Sequence, residues 1–276
     1  MTAFQNTSAL AVNSQRRASM PFLFQVTTMT WRNLVTIIRT PAAVVPTLVI
    51  SAFFLFVYEA SLGKAAGFLP GLTSNSYLGF ILPVSIVSAA LSGAGVAGQS
   101  VVRDIENGYF DKLLLTPIGR AALLLGPIIA GALVLVVQTT VVMFIGLLMG
   151  LDPQTGIPGV LTVLAFALLL GTGFAGFTVA VALRSGNAAA TQGASFAFFP
   201  LTFLTATFVP VSLLSGWIQT AAIYNPITYI LEAMRSLLNT GWEGDVLLRG
   251  LLSCLVLGIV MFAFALFSLR ARTRRK

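Results

Sequence analysis

Six long stretches without a charged residue limit what this chain can fold into. They comprise residues 40–58, 65–102, 121–151, 153–183, 185–231 and 250–269 of 276. Each stretch can hold a helix of about 20 residues, which crosses the roughly 30 Å hydrocarbon core of a membrane. Charged residues make up only 9% of the sequence, too few to cover a soluble protein. The sequence therefore predicts an all-α polytopic membrane protein with six transmembrane helices, near residues 41–59, 77–102, 120–150, 157–183, 187–210 and 249–269.

The placement of the charges predicts the orientation of these spans. Residues 185–231 could hold two spans, but a seventh span would put the basic C-terminal tail outside the cell. With six spans, thirteen of the sixteen Lys and Arg residues and three of the eight acidic residues are cytoplasmic, a net +10 inside against −2 outside. Basic residues accumulate on the cytoplasmic side, so we expect the plasma (inner) membrane and two cytoplasmic termini. The domains are then a tail at 1–20, a membrane domain at 21–270 and a basic tail at 271–276.

Two segments beside the spans have patterns of their own. Residues 21–39 carry Gln25, Arg32 and Arg39 on one polar stripe, which predicts an amphipathic helix lying on the cytoplasmic membrane surface. After Pro210 the apolar sequence is interrupted by Gly, Asn, Pro and Tyr. Non-helical backbone at membrane depth must be buried in protein or face a watery cavity, so this region predicts short extracellular re-entrant helices.

Two helix faces are candidate linings of a substrate path. The second span has a face rich in small residues, and the fifth has three phenylalanines on one side. The residues concerned are Ser85, Ser88, Ser92, Phe196, Phe199 and Phe203. Small residues also allow close helix packing, and phenylalanines also contact lipid, so both explanations stay open here.

Several kinds of chemistry lack their residues in this sequence. The chain has no histidine and no charge inside the six stretches, which argues against a proton-coupled carrier. No residues are spaced as metal ligands, and no G-x-x-x-x-G-K-[ST] phosphate loop occurs. Basic residues at span ends also argue against a nucleic-acid partner. We therefore expect no catalytic residue, metal or cofactor in this chain, and any ATP that drives it must bind another polypeptide.

The densest internal cluster of charges lies between the second and third spans, at residues 103–117. Gly108 allows a turn, and residues 109–115 predict a short helix with Phe110, Leu113 and Leu114 on one side. We expect these three side chains to form an exposed apolar ridge fringed by acidic residues, which suits docking into a groove of a partner protein. A merely solvated loop would not need three leucines in a row.

This loop resembles that of the ABC-2 type transporter permeases, in the branch of daunorubicin/doxorubicin-resistance and nodulation-export-like proteins. The family pattern E-x-E-x-G-T-x-E-x-L-L-x-T-P is matched, with Asp104 and Asp111 as acidic replacements and Tyr109 in place of Thr, at Glu106, Gly108, Leu113, Leu114, Thr116 and Pro117. A second pattern, N-P-x-x-Y-x-x-x-A-x-R, is matched near the last span at Asn225, Pro226, Tyr229, Ala233 and Arg235, with Glu232 between them. The resemblance covers about residues 20–270.

The resemblance implies a type V exporter-like fold with an interfacial helix, six spans, a cytoplasmic coupling helix and extracellular re-entrant helices. It implies two permease copies, alike or different, and two copies of a separate ABC ATPase that carries ATP and Mg²⁺. The residues implied to couple to that ATPase are Asp104, Glu106, Gly108, Tyr109, Phe110, Asp111, Leu113, Leu114, Thr116 and Pro117. The implied function is export of a hydrophobic or amphipathic compound: a drug, an antibiotic or a lipid-like molecule. Export of a lipid-linked glycan or polysaccharide and a non-transporting membrane scaffold are the alternatives.

Overall fold

The computed structural model describes residues 20–63, 74–196, 199–205, 207 and 210–274. Its first helix, α1 (Phe22–Ile38), is followed by a 3-10 turn at Pro41–Ala43 and by α2 (Val45–Leu62). Proline disfavours helical backbone in the residue before it, and α1 accordingly ends shortly before Pro41. The predicted amphipathic segment 21–39 is thus a separate helix and does not extend the first span.

The middle of the chain forms the longest helices. They are α3 (Ser74–Glu106), α5 (Arg120–Leu148) and α6 (Gly156–Ser185), and the short helix α4 (Tyr109–Leu114) connects α3 to α5. Gly108 has a φ of 66°, in the left-handed region that glycine adopts at little cost. This conformation ends α3 and lets α4 begin one residue later in a new direction.

The C-terminal part alternates short helices with one long helix. The short ones are α7 (Ala188–Phe196), α8 (Phe199–Phe203), α9 (Gly216–Tyr224) and α10 (Pro226–Arg235), with a 3-10 turn at Val211–Leu213 before α9. A π-helical turn at Ser236–Thr240 follows α10, and α11 (Gly244–Arg274) completes the described chain. The described residues contain helices and connecting turns but no strand.

The central helix of the bundle is α3. In the most apolar 18-residue stretch of α3, 94% of the residues are buried. In the corresponding stretch of α11 only 17% are buried, so α11 presents most of its surface to the surroundings. Small residues permit the close crossings. A Cβ atom at Gly126 of α5 would lie 2.5 Å from the Cβ of Met29, so α1 can cross α5 only because a glycine stands there.

Four helices of the described chain are long and apolar enough to cross a membrane, namely those at Tyr77–Glu106, Arg120–Leu148, Gly156–Ser185 and Gly244–Thr273. They coincide with four of the predicted spans, and the apolar but shorter Val45–Ser61 lies in a fifth. The remaining predicted span, 187–210, differs: its helical parts α7 and α8 end at Phe203, and residues 204, 205, 207 and 210 are not helical. Residues 197, 198, 206, 208 and 209 lie outside the described residues. The chain is an integral membrane protein, and its count of six spans stays a prediction.

The end of α8 has a local physical cause. The hydroxyl groups of Thr205 and Thr207 both donate to the carbonyl oxygen of Thr202. Side chains that satisfy the last carbonyl groups of a helix allow it to end without unpaired backbone groups. Local hydrogen bonding by threonine therefore competes here with continuation of the helix.

Candidate functional site

The loop between α3 and α5 is built as a short rigid unit. The amide groups of Asn107 and Gly108 donate to the carbonyl oxygens of Arg103 and Ile105, which closes the end of α3. At the other end of α4, the hydroxyl of Thr116 donates to the carbonyl oxygen of Leu113 at 2.6 Å. The predicted turn at Gly108 and the predicted short helix are both present.

The expected exposed ridge on α4 is wrong for two of its three residues. Phe110 is 3% exposed and Leu113 is 7% exposed, and both belong to a buried cluster with residues of α3, α5, α6 and α11. Leu114 is half-buried, whereas Leu115 just after α4 is 88% exposed. The helix α4 packs against its own bundle, so its apolar side is covered by this chain and not left for a partner.

Charged and polar residues of α1 hold both ends of the loop. Arg32 forms an ion pair with Asp104 at the end of α3, and its guanidinium carbon lies 4.8 Å from the ring centroid of Tyr109. Near the start of α5, the amide of Gly119 donates to Oε1 of Gln25 at 2.8 Å. Helix α1 and the loop therefore form one connected structure.

Sequence reasoning placed Gln25 and Arg32 on a polar stripe but assigned them no partner. A period of three to four residues shows which side chains share a helix face, and it does not show what that face contacts. The ion pair joins residues 72 positions apart, so no local pattern could have indicated it.

The last helix is tied to the same region through its basic residues. Nε of Arg184 at the end of α6 donates to the hydroxyl of Ser268 at 3.1 Å. One guanidinium nitrogen of Arg272 donates to the carbonyl oxygen of Leu183 at 3.0 Å, and the guanidinium carbon lies 5.8 Å from the ring centroid of Phe110. Arg184 and Arg272, which served above only to predict the orientation of the spans, therefore also join α6, α11 and α4.

Residues of the second matched pattern, which precedes the last helix, attach α10 to other segments of the chain. Asn225 accepts a hydrogen bond from the amide of Ile227 at 3.0 Å, which caps α10, and Pro226 begins that helix. The Nδ2 group of Asn225 also donates to the carbonyl oxygens of Leu201 at 2.8 Å and Leu204 at 3.3 Å. The Asn-Pro pair therefore joins α10 to the end of α8.

Two further residues of this pattern donate to backbone oxygens. The hydroxyl of Tyr229 donates to the carbonyl oxygen of Ile223 at 2.7 Å, which ties α10 to α9. Arg235 is buried and donates to the carbonyl oxygens of Phe80 at 2.9 Å and Thr207 at 3.2 Å. The pattern thus has a structural explanation that the sequence did not provide.

Glu232 of the same pattern is half-buried on α10. Burial raises the pKa of its carboxyl group, and the nearby positive charges of Arg235 and Arg249 counteract that rise.

The residues predicted to line a substrate path differ in burial, and their role stays a prediction. Ser85 is fully buried and its hydroxyl has no hydrogen-bond partner among the described residues, whereas Ser88 is half-buried. Phe196 and Phe203 are 63% and 45% exposed. The side chains of Ser92 and Phe199 lie outside what the structure describes.

A different cavity lies beside the C-terminal half of α3. It measures about 230 Å³ and opens between α1, α2, α3 and α7. Seven of its ten lining residues are polar or charged, and the lining comprises Thr36, Ile37, Thr40, Thr47, Gly95, Val96, Gln99, Ser100, Arg103 and Gln192. Sequence reasoning missed this cavity because its walls come from four separate segments.

Comparison with known proteins identifies the family. The sequence matches the profile of the family described as ABC-2 type transporter over residues 24–239, which is most of the chain. The chain belongs to the ABC-2 type transporter family. The resemblance inferred from the loop and from the Asn-Pro pattern is thereby confirmed.

Curated relatives of this ABC-2 family chain carry the names of transporter permeases. A daunorubicin resistance ABC transporter permease protein of Streptomyces coeruleorubidus is 26% identical over 232 residues, 83% of this chain and 80% of that protein. A probable doxorubicin resistance ABC transporter permease protein of Mycobacterium tuberculosis is 26% identical over 80% of this chain and 79% of its own length. A probable multidrug ABC transporter permease of Escherichia coli is 25% identical over 66% of this chain and 49% of its own length.

Proposed function

We propose that this chain is the permease subunit of an ATP-driven exporter whose ATP and Mg²⁺ are bound by a separate ABC ATPase. The family membership and the names of the relatives support the permease assignment. The sequence itself contains no phosphate-binding loop of the G-x-x-x-x-G-K-[ST] type. Its role is therefore binding and translocation, with hydrolysis on the partner subunit.

The observation that carries the proposal is the way α4 is held. Its apolar side, with Phe110 and Leu113, is buried against the bundle. Arg32 and Gln25 of α1 bind the loop before and after it, at Asp104 and Gly119. Because packed interiors resist compression, a push on α4 must move the ends of α1, α3 and α5 with it. Such a helix is suited to transmit a movement of the ATPase into the membrane.

The outer side of α4 is the proposed contact with the ATPase. Leu115 is 88% exposed and has Lys112, Thr116 and Pro117, all exposed, around it in sequence. A central apolar side chain with a polar rim is typical of a protein contact in which a few residues contribute most of the binding energy. Glu106 and Tyr109, also exposed, extend this surface, while Asp104, Phe110 and Leu113 position it from inside.

The working complex is proposed to contain two permease copies and two ATPase copies in the plasma membrane, with both permease termini in the cytoplasm. Closure of the ATPases would move both α4 helices and open the path outward. The cargo is proposed to be a hydrophobic or amphipathic compound, as the names of the drug-resistance relatives suggest. The polar cavity favours one second candidate, the export of a lipid-linked glycan.

Co-purification with the candidate ATPase tests the proposal. Leu115→Asp should reduce binding of the ATPase at least tenfold, because burying a charge at an apolar contact costs about 2 kcal/mol or more. Trp242→Asp is the matched control, since Trp242 is 57% exposed and lies outside the predicted spans. Equal ATPase binding by both variants, at equal amounts in the membrane, would contradict the proposed coupling surface.

A further inference from the structure

The polar cavity between α1, α2, α3 and α7 has walls that mainly accept hydrogen bonds. The hydroxyl groups of Thr36 and Thr40 donate to the carbonyl oxygens of Arg32 at 2.9 Å and Thr36 at 2.7 Å. Ser100 likewise donates to the carbonyl oxygen of Ala97 at 2.8 Å. A hydroxyl has one hydrogen and two lone pairs. Each of these three hydroxyl groups already donates its hydrogen, so it can bind a ligand only as a hydrogen-bond acceptor.

One amide side chain of the cavity can both donate and accept. The Nε2 group of Gln99 donates one of its two hydrogens to the carbonyl oxygen of Ala188 at 2.8 Å, which leaves one N–H group and the Oε1 atom. The hydroxyl of Thr47 donates to the carbonyl oxygen of Val44 and accepts from Gln138 at 2.6 Å. The hydroxyl groups of the cavity therefore favour a ligand that brings its own hydrogen-bond donors.

Donor groups of the cavity lie at its rim. Arg103 and Gln192 are both exposed, and neither side chain makes a hydrogen bond or an ion pair within the described part of the chain. Arg103 presents five N–H donors and a fixed positive charge. A ligand here must therefore offer donors to the wall and acceptors to the rim.

This combination excludes several ligand types. A purely apolar molecule would leave the polar walls without water or partners, which is unfavourable. A quaternary ammonium group brings no hydrogen-bond donor and is repelled by Arg103. A sulfate group can bind Arg103, but its oxygen atoms only accept hydrogen bonds and would face hydroxyl groups that also can only accept. A sugar carries several hydroxyl groups, each both donor and acceptor, and satisfies wall and rim together.

We infer that this cavity binds the sugar headgroup of an amphiphile that enters from the cytoplasmic leaflet. Ile38 and Val45, which neighbour cavity residues in sequence, are 72% and 54% exposed and can contact the apolar part of such a molecule. At about 30 Å³ per water molecule, a cavity of about 230 Å³ has room for a headgroup and not for a large polysaccharide. The inference rests on the proposed export function and names its substrate class.

Binding of synthetic amphiphiles to the full-length chain in phosphatidylcholine nanodiscs tests the inference. The probes are octyl glucoside, octyl sulfate and octyl trimethylammonium, titrated below their micelle concentrations. The unchanged protein should bind the glucoside more tightly than either charged probe. The variant Thr36→Val/Thr40→Val/Ser100→Ala removes three acceptors with little change of shape and should bind the glucoside at least tenfold more weakly.

A matched control removes three hydroxyl groups outside the cavity. Thr27 and Thr140 are exposed and Thr162 is half-buried, and their hydroxyls donate to carbonyl oxygens three or four residues earlier. The variant Thr27→Val/Thr140→Val/Thr162→Val should therefore bind the glucoside as the unchanged protein does. Equal thermal unfolding of both triple variants shows that neither has lost its fold.

A second variant fills the cavity without removing a hydrogen-bonding group. A Cβ atom at Gly95 would lie 3.0 Å from Oε1 of Gln192, a flexible side chain at the rim, so Gly95→Leu should block entry and abolish glucoside binding. Unchanged glucoside affinity in the acceptor-removed or filled variant, or equal affinity for all three probes, would overturn the inference. The assay contains no ATPase, so failure of the exporter assignment alone would leave these affinities unaltered.

Discussion

Arg32 of α1 forms an ion pair with Asp104 at the end of α3 and lies 4.8 Å from the ring centroid of Tyr109 in α4. The two ionic side chains are 29% and 23% exposed, so solvent screens the pair and it contributes at most about 1 kcal/mol to stability. Its importance is geometric, because a single guanidinium group contacts the helices before and after the turn at Gly108. Helix α1 is thereby joined to the loop that is proposed to contact the ATPase.

We expect Arg32→Gln to leave the protein folded, with thermal stability changed by less than about 1 kcal/mol, and to reduce ATP-dependent export several-fold. Arg39→Gln is the control, since Arg39 is an exposed arginine at the end of the same helix and has no partner among the described residues. The exchanged pair Arg32→Asp/Asp104→Arg should restore part of the export. Export lost equally in the Arg39 variant would show that charge on α1, and not this contact, matters.

At Gly108 we expect the backbone conformation alone to set the cost of substitution. Its φ is 66°, and a Cβ atom there would have nothing within 4 Å. Gly108→Ala should therefore cost about 1 kcal/mol and Gly108→Val more, while Gly108→Asn should be tolerated best. Thermal unfolding in nanodiscs measures this order. Equal loss in all three variants would indicate steric contact and not backbone strain.

Leu113→Asp should destabilise the protein, because Leu113 is 7% exposed and the substitution buries a charge without a partner. Phe110→Ala should cost about 3–5 kcal/mol, as is typical for a buried phenylalanine. Leu115→Asp should leave thermal stability unchanged, because that side chain is 88% exposed. The amount of folded protein in the membrane checks this contrast, and normal accumulation of Leu113→Asp would mean that α4 does not lie against the bundle.

Asn225→Ala should lower stability by about 2–4 kcal/mol, because it removes the cap of α10 and the donor to two carbonyl oxygens of the α8 region. Asn225→Asp keeps the acceptor for the amide of Ile227 but cannot donate, so it separates the cap from the attachment. We expect Asn225→Asp to be destabilised as well. A fully stable Asn225→Asp protein would show that only the cap contributes.

Both termini should be cytoplasmic, since the opposite orientation would reverse the +10 to −2 distribution of charge. Single cysteines introduced as Gln5→Cys or Arg274→Cys, with Cys254→Ser, should not react with a membrane-impermeant thiol reagent in intact cells. They should react fully once the membrane is opened. Labelling of either position in intact cells would refute the six-span topology.

The sequence by itself determined several elements of this protein. Charge-free stretches placed the long helices α3, α5, α6 and α11, the polar stripe placed α1, and Gly108 placed the start of α4. These signals are local: a span needs about 20 apolar residues, a polar stripe follows the helical period, and a turn with positive φ favours glycine. The two motifs were also sufficient to indicate the family that the profile comparison shows.

Only the tertiary structure decided which faces are covered and which residues meet. Helical periodicity put Phe110, Leu113 and Leu114 on one side of α4, and it could not show that this side lies against the chain's own bundle. Arg235 reaches Phe80 across 155 positions, and the cavity is assembled from four segments, so neither leaves a local pattern. Contacts between distant segments depend on how helices pack, which the sequence of a single element does not encode.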